Sequence, residues 1–224
     1  MGNKCNLYPD EEEQIIYQTK PIPTVASVKE TRMTDADQMK LLIFPDGSYY
    51  KGQVSVDRPQ GQGKLTRKDG STHEGEWNDG YPQGYGTAHY PNGDVYTGFF
   101  EKGKRSGTNG KYTSADYTYI GDWRAGQMNG PGKIEFKNGE VYNGDFKENQ
   151  FNGQGVFTYK SGKYYTGSFI NGTRSGPGKI IFKDGGSYEG KFENGAPTKD
   201  GVFKSKNGEP SVTEWRNGAL VFTK

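Results

Sequence analysis

Residues 116–138 read DYTYIGDWRAGQMNGPGKIEFKN, and the pattern of that 23-residue stretch recurs along the chain. Aligned without gaps, further copies begin at residues 47, 70, 93, 139, 162 and 185, with a shortened one at 208. Those copies open on glycine (Gly47, Gly70, Gly93, Gly139, Gly162, Gly185, Gly208), and Asp116 alone breaks the series. Self-similarity at a period of about 20 to 50 residues marks one supersecondary unit copied and stacked.

Inside the repeat, position four is aromatic in most copies (Tyr50, Tyr96, Tyr119, Tyr142, Tyr165, Tyr188, with His73 in the second). Position six is glycine in all seven full copies, from Gly52 to Gly190, and position eight is aromatic in six (Trp77, Phe100, Trp123, Phe146, Phe169, Phe192). Positions fifteen and seventeen are usually glycine, nineteen usually apolar and twenty-one often aromatic, as in Ile134 with Phe136 or Phe157 with Tyr159. Spacings of two are the strand period, so each copy reads as two short strands forming a β-hairpin. The fold class predicted is all-β: an elongated, twisted, single-layer antiparallel sheet of stacked hairpins. Pairing position four with twenty-one would set glycine six against nineteen and the ring at eight against glycine seventeen, laying each ring over bare backbone. The triplets that link copies, such as Pro91-Asn92-Gly93, predict three-residue loops ending in a left-handed glycine.

Composition agrees with an ordered β-array. Hydrophobic residues are only 30% and mean hydropathy is −0.99, yet a net charge of +2 with 16 Tyr and 12 Phe is unlike a disordered chain. Five leucines among 224 residues are too few for the core of a helical bundle. Cys5 is the only cysteine, so no intrachain disulfide forms, and the expectation is an intracellular protein. No apolar run reaches the roughly 18 residues a membrane-spanning helix needs.

The pattern GxxYxGxWxxGxxxGxG, nearly complete at 116–132 and 70–86, resembles the MORN (membrane occupation and recognition nexus) repeat. The resemblance covers residues 47 to about 217 and implies an elongated assembly platform of the kind found in cytoskeletal, ciliary and membrane-junction proteins. The same family's repeats also stand beside lipid-kinase or methyltransferase domains, and no such domain is present in this sequence. Departures from the pattern fall at Asn109 (position seventeen), Asn149 (eleven) and Lys199 (fifteen).

Residues 41–224 are thus read as a half repeat carrying Leu42 and Phe44, seven full repeats and a truncated C-terminal cap that keeps Trp215 and Gly218. Residues 1–40 form an arm without repeats, with an acidic cluster at Asp10–Glu13 and an apolar run at Ile15–Tyr17. It is either a strap along the array or a free tether, and Thr34 is placed to cap a short helix through Asp35 to Leu41. Met1-Gly2-Asn3-Lys4-Cys5 resembles an N-myristoylation signal at Gly2 with a palmitoylation site at Cys5, although Asn6 stands where Ser or Thr is preferred. One myristoyl chain binds membranes only marginally, so Cys5 would supply the second signal.

Little of the chain reads as catalytic. His73 and His89 occupy repeat positions and are expected to be structural. GGSYEGK at 185–191 imitates a phosphate loop but ends in Phe192 and lies on a strand. Asn171-Gly172-Thr173 matches a glycosylation sequon that an intracellular protein would not use. Glu76, Asp122 and Asp145 share position seven on the face away from the rings, as solvated strand carboxylates do. Neither enzyme, metal nor other cofactor is expected. Charge divides as 5 basic and 8 acidic groups over residues 1–46 and 24 and 19 beyond, so the arm is −3 and the array +5, and neither is a nucleic-acid footprint.

The functional expectation is a non-catalytic scaffold of a cytoskeletal, ciliary or membrane-associated assembly. Its aromatic groove would hold an extended peptide or helix of a protein partner through Tyr119, Trp123, Tyr142, Phe146, Tyr165 and Phe169. The competing reading of those rings is packing against one another, and in a layer one sheet thick many must do both. The alternative function is a peripheral membrane protein binding phospholipid through basic loops (Lys102, Lys104, Arg105, Arg174), N-terminal acylation, or both. Open array ends also offer a route to a homodimer.

Overall fold

The structure, a computed structural model, describes residues 27–30, 39–211, 213–216 and 219–222, and side-chain surroundings over 39–209. Gly2, Cys5, the Asp10–Glu13 cluster, Ile15–Tyr17 and Thr34 lie outside the described residues. The chain divides into two modules, one ending at Gln127 and one running from Met128.

In the first module the strands are β1 (Ser27–Glu30), β2 (Met39–Ile43), β3 (Tyr49–Ser55), β4 (Arg58–Thr66), β5 (Thr72–Asn78), β6 (Tyr81–His89), β7 (Val95–Glu101), β8 (Lys104–Thr113) and β9 (Tyr117–Arg124). The second holds β10 (Gln127–Phe136), β11 (Val141–Lys147), β12 (Gln150–Thr158), β13 (Tyr164–Ile170), β14 (Thr173–Ile181), β15 (Ser187–Glu193), β16 (Ala196–Pro197), β17 (Val202–Lys204), β18 (Pro210–Ser211), β19 (Thr213–Arg216) and β20 (Ala219–Phe222). Each module is an open, single-layer antiparallel sheet of stacked hairpins, β19 and β20 standing apart as a two-stranded sheet of their own, with no helix among the described residues. The all-β class read from the sequence is the observed one. Met39–Leu41, expected at the end of a short helix, instead lie in β2, where the ladders to β1 and β3 outweigh a weak local helix propensity.

The linking loops close as the triplets predict. Tyr90 N–H donates to the Asp94 carbonyl at 2.9 Å and Gly93 N–H to the Tyr90 carbonyl at 3.0 Å, with Gly93 left-handed at φ 92°. The strand register, however, is displaced by two residues from the one expected. Position four faces nineteen (Tyr50↔Leu65) and glycine six faces glycine seventeen (Gly52↔Gly63), within the hairpin and again across to the next one (Leu65↔His73, Gly63↔Gly75). Glycine therefore faces glycine strand after strand, and the tyrosine ring of each repeat leans along its own strand to lie over that bare row. A Cβ on Gly155 would stand 2.5 Å from the Tyr142 ring, so only glycine fits.

Asp116 and Asn109, two separate departures in the sequence, are one structural event. The loop before β9 has lost a residue: Ser114 N–H donates to the Tyr117 carbonyl at 2.9 Å, and Thr113 pairs with Thr118. Neither Ala115 nor Asp116 is left-handed, so no glycine is needed there. The missing residue reappears inside β8, where Gly107 pairs with Trp123 and Gly110 with Gly121, leaving Asn109 bulged at φ 56°. Gly110 thereby takes the place of glycine seventeen and Tyr112 that of position nineteen, paired with Tyr96 and Tyr119. Position fifteen is left-handed from Gly61 to Gly176; where Lys199 replaces it, the second strand breaks into β16 and β17.

Candidate functional site

Alternation along the strands puts positions four, eight, thirteen, nineteen and twenty-one on one face. At position four the hydroxyl donates to the backbone carbonyl three residues on: Tyr119 to Asp122, Tyr142 to Asp145 and Tyr165 to Ser168, each at 2.9 Å. Burial disfavours the phenolate, pushing Tyr165 up to about 12 and raising Tyr96, Tyr119 and Tyr142 as well. Position-eight rings meet these tyrosines edge to face, with Trp123 5.2 Å from Tyr119, Phe146 5.2 Å from Tyr142 and Phe169 5.1 Å from both Tyr142 and Tyr165. His73 substitutes for tyrosine in the second repeat, 5.0 Å from Trp77 and 4.5 Å from Phe100, with both ring nitrogens buried and without a hydrogen-bond partner. Burial holds it neutral, with a pKa lowered to about 3.

The six residues expected to meet a partner each stand on the aromatic face of their own module, Tyr119 and Trp123 in the first and the other four in the second. All are buried, from 0% exposure at the three tyrosines to 4% at Trp123. They form the core of a one-layer sheet. The half-buried rings of the same face stand at position twenty-one, beside the linking loops: Tyr90 in the first module, and Phe136, Tyr159 and Phe182 in the second.

Sequence reasoning missed position thirteen. Its occupants (Pro59, Pro82, Arg105, Met128, Phe151, Arg174, Pro197) share no chemistry, yet several cover rings: Phe151 stacks on Tyr142 at 3.8 Å, and Arg105 lies 4.4 Å from the Trp123 ring centre. The only signal was that every occupant is bulky or cyclic. This position also ties neighbouring hairpins together. Gly126 N–H donates to the Arg105 carbonyl at 2.9 Å while Arg105 Nη2 donates back to the Gly126 carbonyl at 2.9 Å, and Arg174 and Gly195 make the same exchange.

The four cations expected on basic loops therefore divide. Lys102 and Lys104 are exposed at the β7–β8 turn, whereas Arg105 is 8% exposed among the rings of Tyr90, Tyr96, Tyr112 and Trp123, and Arg174 is half-buried over Tyr165 and Phe192. Cation–π attraction keeps each guanidinium on its aromatic bed. Among the described residues no three His, Cys, Asp or Glu side chains are grouped to hold a metal ion, and no helix is long and apolar enough to cross a membrane.

The MORN repeat family model matches six consecutive segments, 50–72, 73–95, 96–118, 119–141, 142–164 and 165–187. The chain belongs to the MORN-repeat family. Each matched segment opens on position four, so the MORN unit begins with the tyrosine (or His73) that lies over the glycine row. Comparison with curated proteins gives no match. Similar solved structures include the TCP domain of Drosophila melanogaster SAS-4 (dCPAP) in complex with a proline-rich motif of Ana2 (dSTIL), 14% identical over 85% of this chain and 92% of that one, with a TM-score of 0.33. Another is the TCP10 domain of Danio rerio CPAP in complex with a STIL peptide, 15% identical over 83% and 98%, at a TM-score of 0.30. At these identities and scores the likeness does not extend to a ligand or a role.

Proposed function

We propose that this MORN-repeat protein is a non-catalytic scaffold that holds an extended segment of a partner protein against its aromatic face, within an assembly of the cytoskeleton, the cilium or the cytoplasmic side of a membrane. The observation that carries the reading is the row of half-buried position-twenty-one rings, Phe136, Tyr159 and Phe182, continuous with a rigid aromatic core. Rings held in place by packing offer contact area at small entropic cost, the property that makes aromatic residues dominate binding hot spots. The core residues Tyr142, Phe146, Tyr165 and Phe169 serve this face from below by fixing its shape, as Tyr119 and Trp123 do for the first module, and the rim touches the partner. Affinity capture from the source cell tests it: Tyr159→Ser with Phe182→Ser should keep the fold and lose the partners retained by the wild type. Retention of the same partners by the doubly substituted chain would end the reading.

Lys102 and Lys104, exposed at one turn, favour a second reading: a membrane contact through anionic lipid, with acylation of Gly2 and Cys5 as its anchor. Intact-mass measurement of protein from its native cell tests the anchor, which an unmodified terminus would eliminate. Flotation of unacylated protein with anionic vesicles at physiological salt tests the turn. A homodimer through the array ends would show as a doubled mass in sedimentation.

A further inference from the structure

Two repeats of this chain carry arginine at position thirteen, and their surroundings are built alike except in one respect. In the first, Arg105 sits over aromatic rings, and at position two of its repeat Asp94 is buried, its carboxylate accepting a hydrogen bond from the Tyr112 hydroxyl, whose ring lies 5.0 Å from the Arg105 guanidinium. Cation and carboxylate thus occupy one aromatic cluster. In the second, Arg174 sits 5.5 Å from the ring centres of Tyr165 and Phe192, but position two is Lys163, whose ammonium lies 4.3 Å over the Tyr159 ring. Where one cluster has a cation and an anion, the other has two cations.

The second cluster is half-buried, and neither of its cations is ion-paired among the described residues. The one protein acceptor recorded for Arg174 is the Gly195 carbonyl, bound through Nη2. Desolvation first, and then Arg174, lower the pKa of Lys163, against the opposing attraction of Glu140, whose carboxylate also accepts from the Asn138 side-chain amide at 3.1 Å. Two like charges in a partly desolvated aromatic setting repel each other, and an external anion placed beside both relieves that repulsion while gaining charge-assisted hydrogen bonds. The flanking rim rings Tyr159 and Phe182 give the bearer of that anion apolar surface to lie on.

We infer that Lys163 and Arg174 form an acidic-side-chain receptor on the aromatic face, and that the partner segment it takes is an extended peptide bearing Asp or Glu beside aromatic or other apolar residues. This rests on the platform reading and supplies the partner's chemistry. The first cluster carries its own carboxylate, Asp94, bound to the Tyr112 hydroxyl beside Arg105, so it needs no such ligand.

Fluorescence anisotropy of the full chain with labelled synthetic peptides tests the inference, using a Glu-Tyr repeat peptide, its Gln-Tyr counterpart, and vesicles containing phosphatidylserine as competitor. The expected result is binding of the Glu-Tyr peptide, weakened roughly tenfold by Lys163→Gln and abolished by Lys163→Asp, with the Gln-Tyr peptide binding at least roughly tenfold more weakly. Circular dichroism of both variants should match the wild type, because the Lys163 side chain has no hydrogen-bond partner among the described residues, its ammonium lying over the half-buried Tyr159 ring. Equal binding of the two peptides, indifference to Lys163→Gln, or no binding of either would overturn the acidic receptor. Lys163-dependent vesicle binding that displaces the peptide would overturn it in favour of a membrane surface. The platform reading fails separately, if Tyr159→Ser with Phe182→Ser leaves native partner capture intact.

Discussion

Acid should weaken the second repeat through a single side chain. His73 is 2% exposed, both its nitrogens lack partners, and its pKa falls to about 3, first from burial and then from Arg67. The unfolded chain returns the imidazole to about 6.5, so the unfolded state binds the proton that the folded state refuses. The sign follows: stability is fully present above pH 6.5 and is lost progressively as pH falls from there toward 3. At pH 5 the unfolded state gains 1.36 × log(1 + 10^1.5), about 2 kcal/mol, and this figure barely changes for any folded pKa below about 4. Replacing His73 with the tyrosine found in the other repeats removes the titration and lets a hydroxyl reach the Glu76 carbonyl, as Tyr96 reaches Phe99 at 3.0 Å. The His73→Tyr chain should be more stable by about 1 kcal/mol at pH 7.5 and by about 3 kcal/mol at pH 5. Urea unfolding followed by tryptophan fluorescence reads this locally, because Trp77 touches His73. Exposed groups titrate identically in both chains and cancel from the difference. A stability gap that stays constant within about 0.5 kcal/mol between the two pH values would show that His73 is not held neutral, and the reasoning would fall.

Other perturbations probe the remaining parts of the account. Gly155→Ala drives a methyl into the Tyr142 ring and should cost about 1–3 kcal/mol in thermal or chemical denaturation; no change would deny the ring-over-glycine packing. Asp116→Gly, which restores the repeat's opening glycine, should destabilise by about 0.5–1 kcal/mol, because the shortened loop has no left-handed residue there. A gain in stability would mean that the loop is a normal three-residue one. Trp123→Ser should cost about 3–5 kcal/mol and be visible as lost near-ultraviolet circular dichroism, whereas the rim change Phe182→Ser should cost less than half as much. Arg105→Met should lose less than Arg105→Ala, since its stem and plane cover rings and its Nη1 already lacks a hydrogen-bond partner.

The hairpin array was legible because its causes are local. Period-two alternation sets faces, and the opening glycine sets the loop, so the strands and the left-handed Gly93 followed from spacing alone. Register was not legible in the same way: a shift by two residues keeps every ring on its face, and the choice of glycine six against glycine seventeen depends on how far Tyr50 leans along its strand. The Asp116 and Asn109 departures looked independent because the gapless alignment hides a residue moved from loop to strand. Position thirteen escaped because a covering role can be filled by proline, arginine, methionine or phenylalanine alike. The six aromatic residues lie on the ring-bearing face that their spacing predicts, but their exposure was not readable, since a one-layer sheet must bury its own rings before it can present any. The juxtaposition of Lys163 with Arg174 brings together two positions eleven apart in sequence, one over Tyr159 and the other over Tyr165 and Phe192, and no spacing rule for strands announces that.

Which face meets the partner is decided most directly by site-specific photocrosslinking in the source cell. Benzoylphenylalanine placed at Tyr159 or Phe182 lies on the aromatic rim, whereas the same group at Val156, 38% exposed on the opposite face of the same module, lies away from it. The account predicts one discrete protein adduct from both rim positions, lost on Lys163→Asp, and none from Val156. Adducts from Val156 with none from Tyr159 or Phe182 would contradict it and place the binding surface on the other side of the sheet.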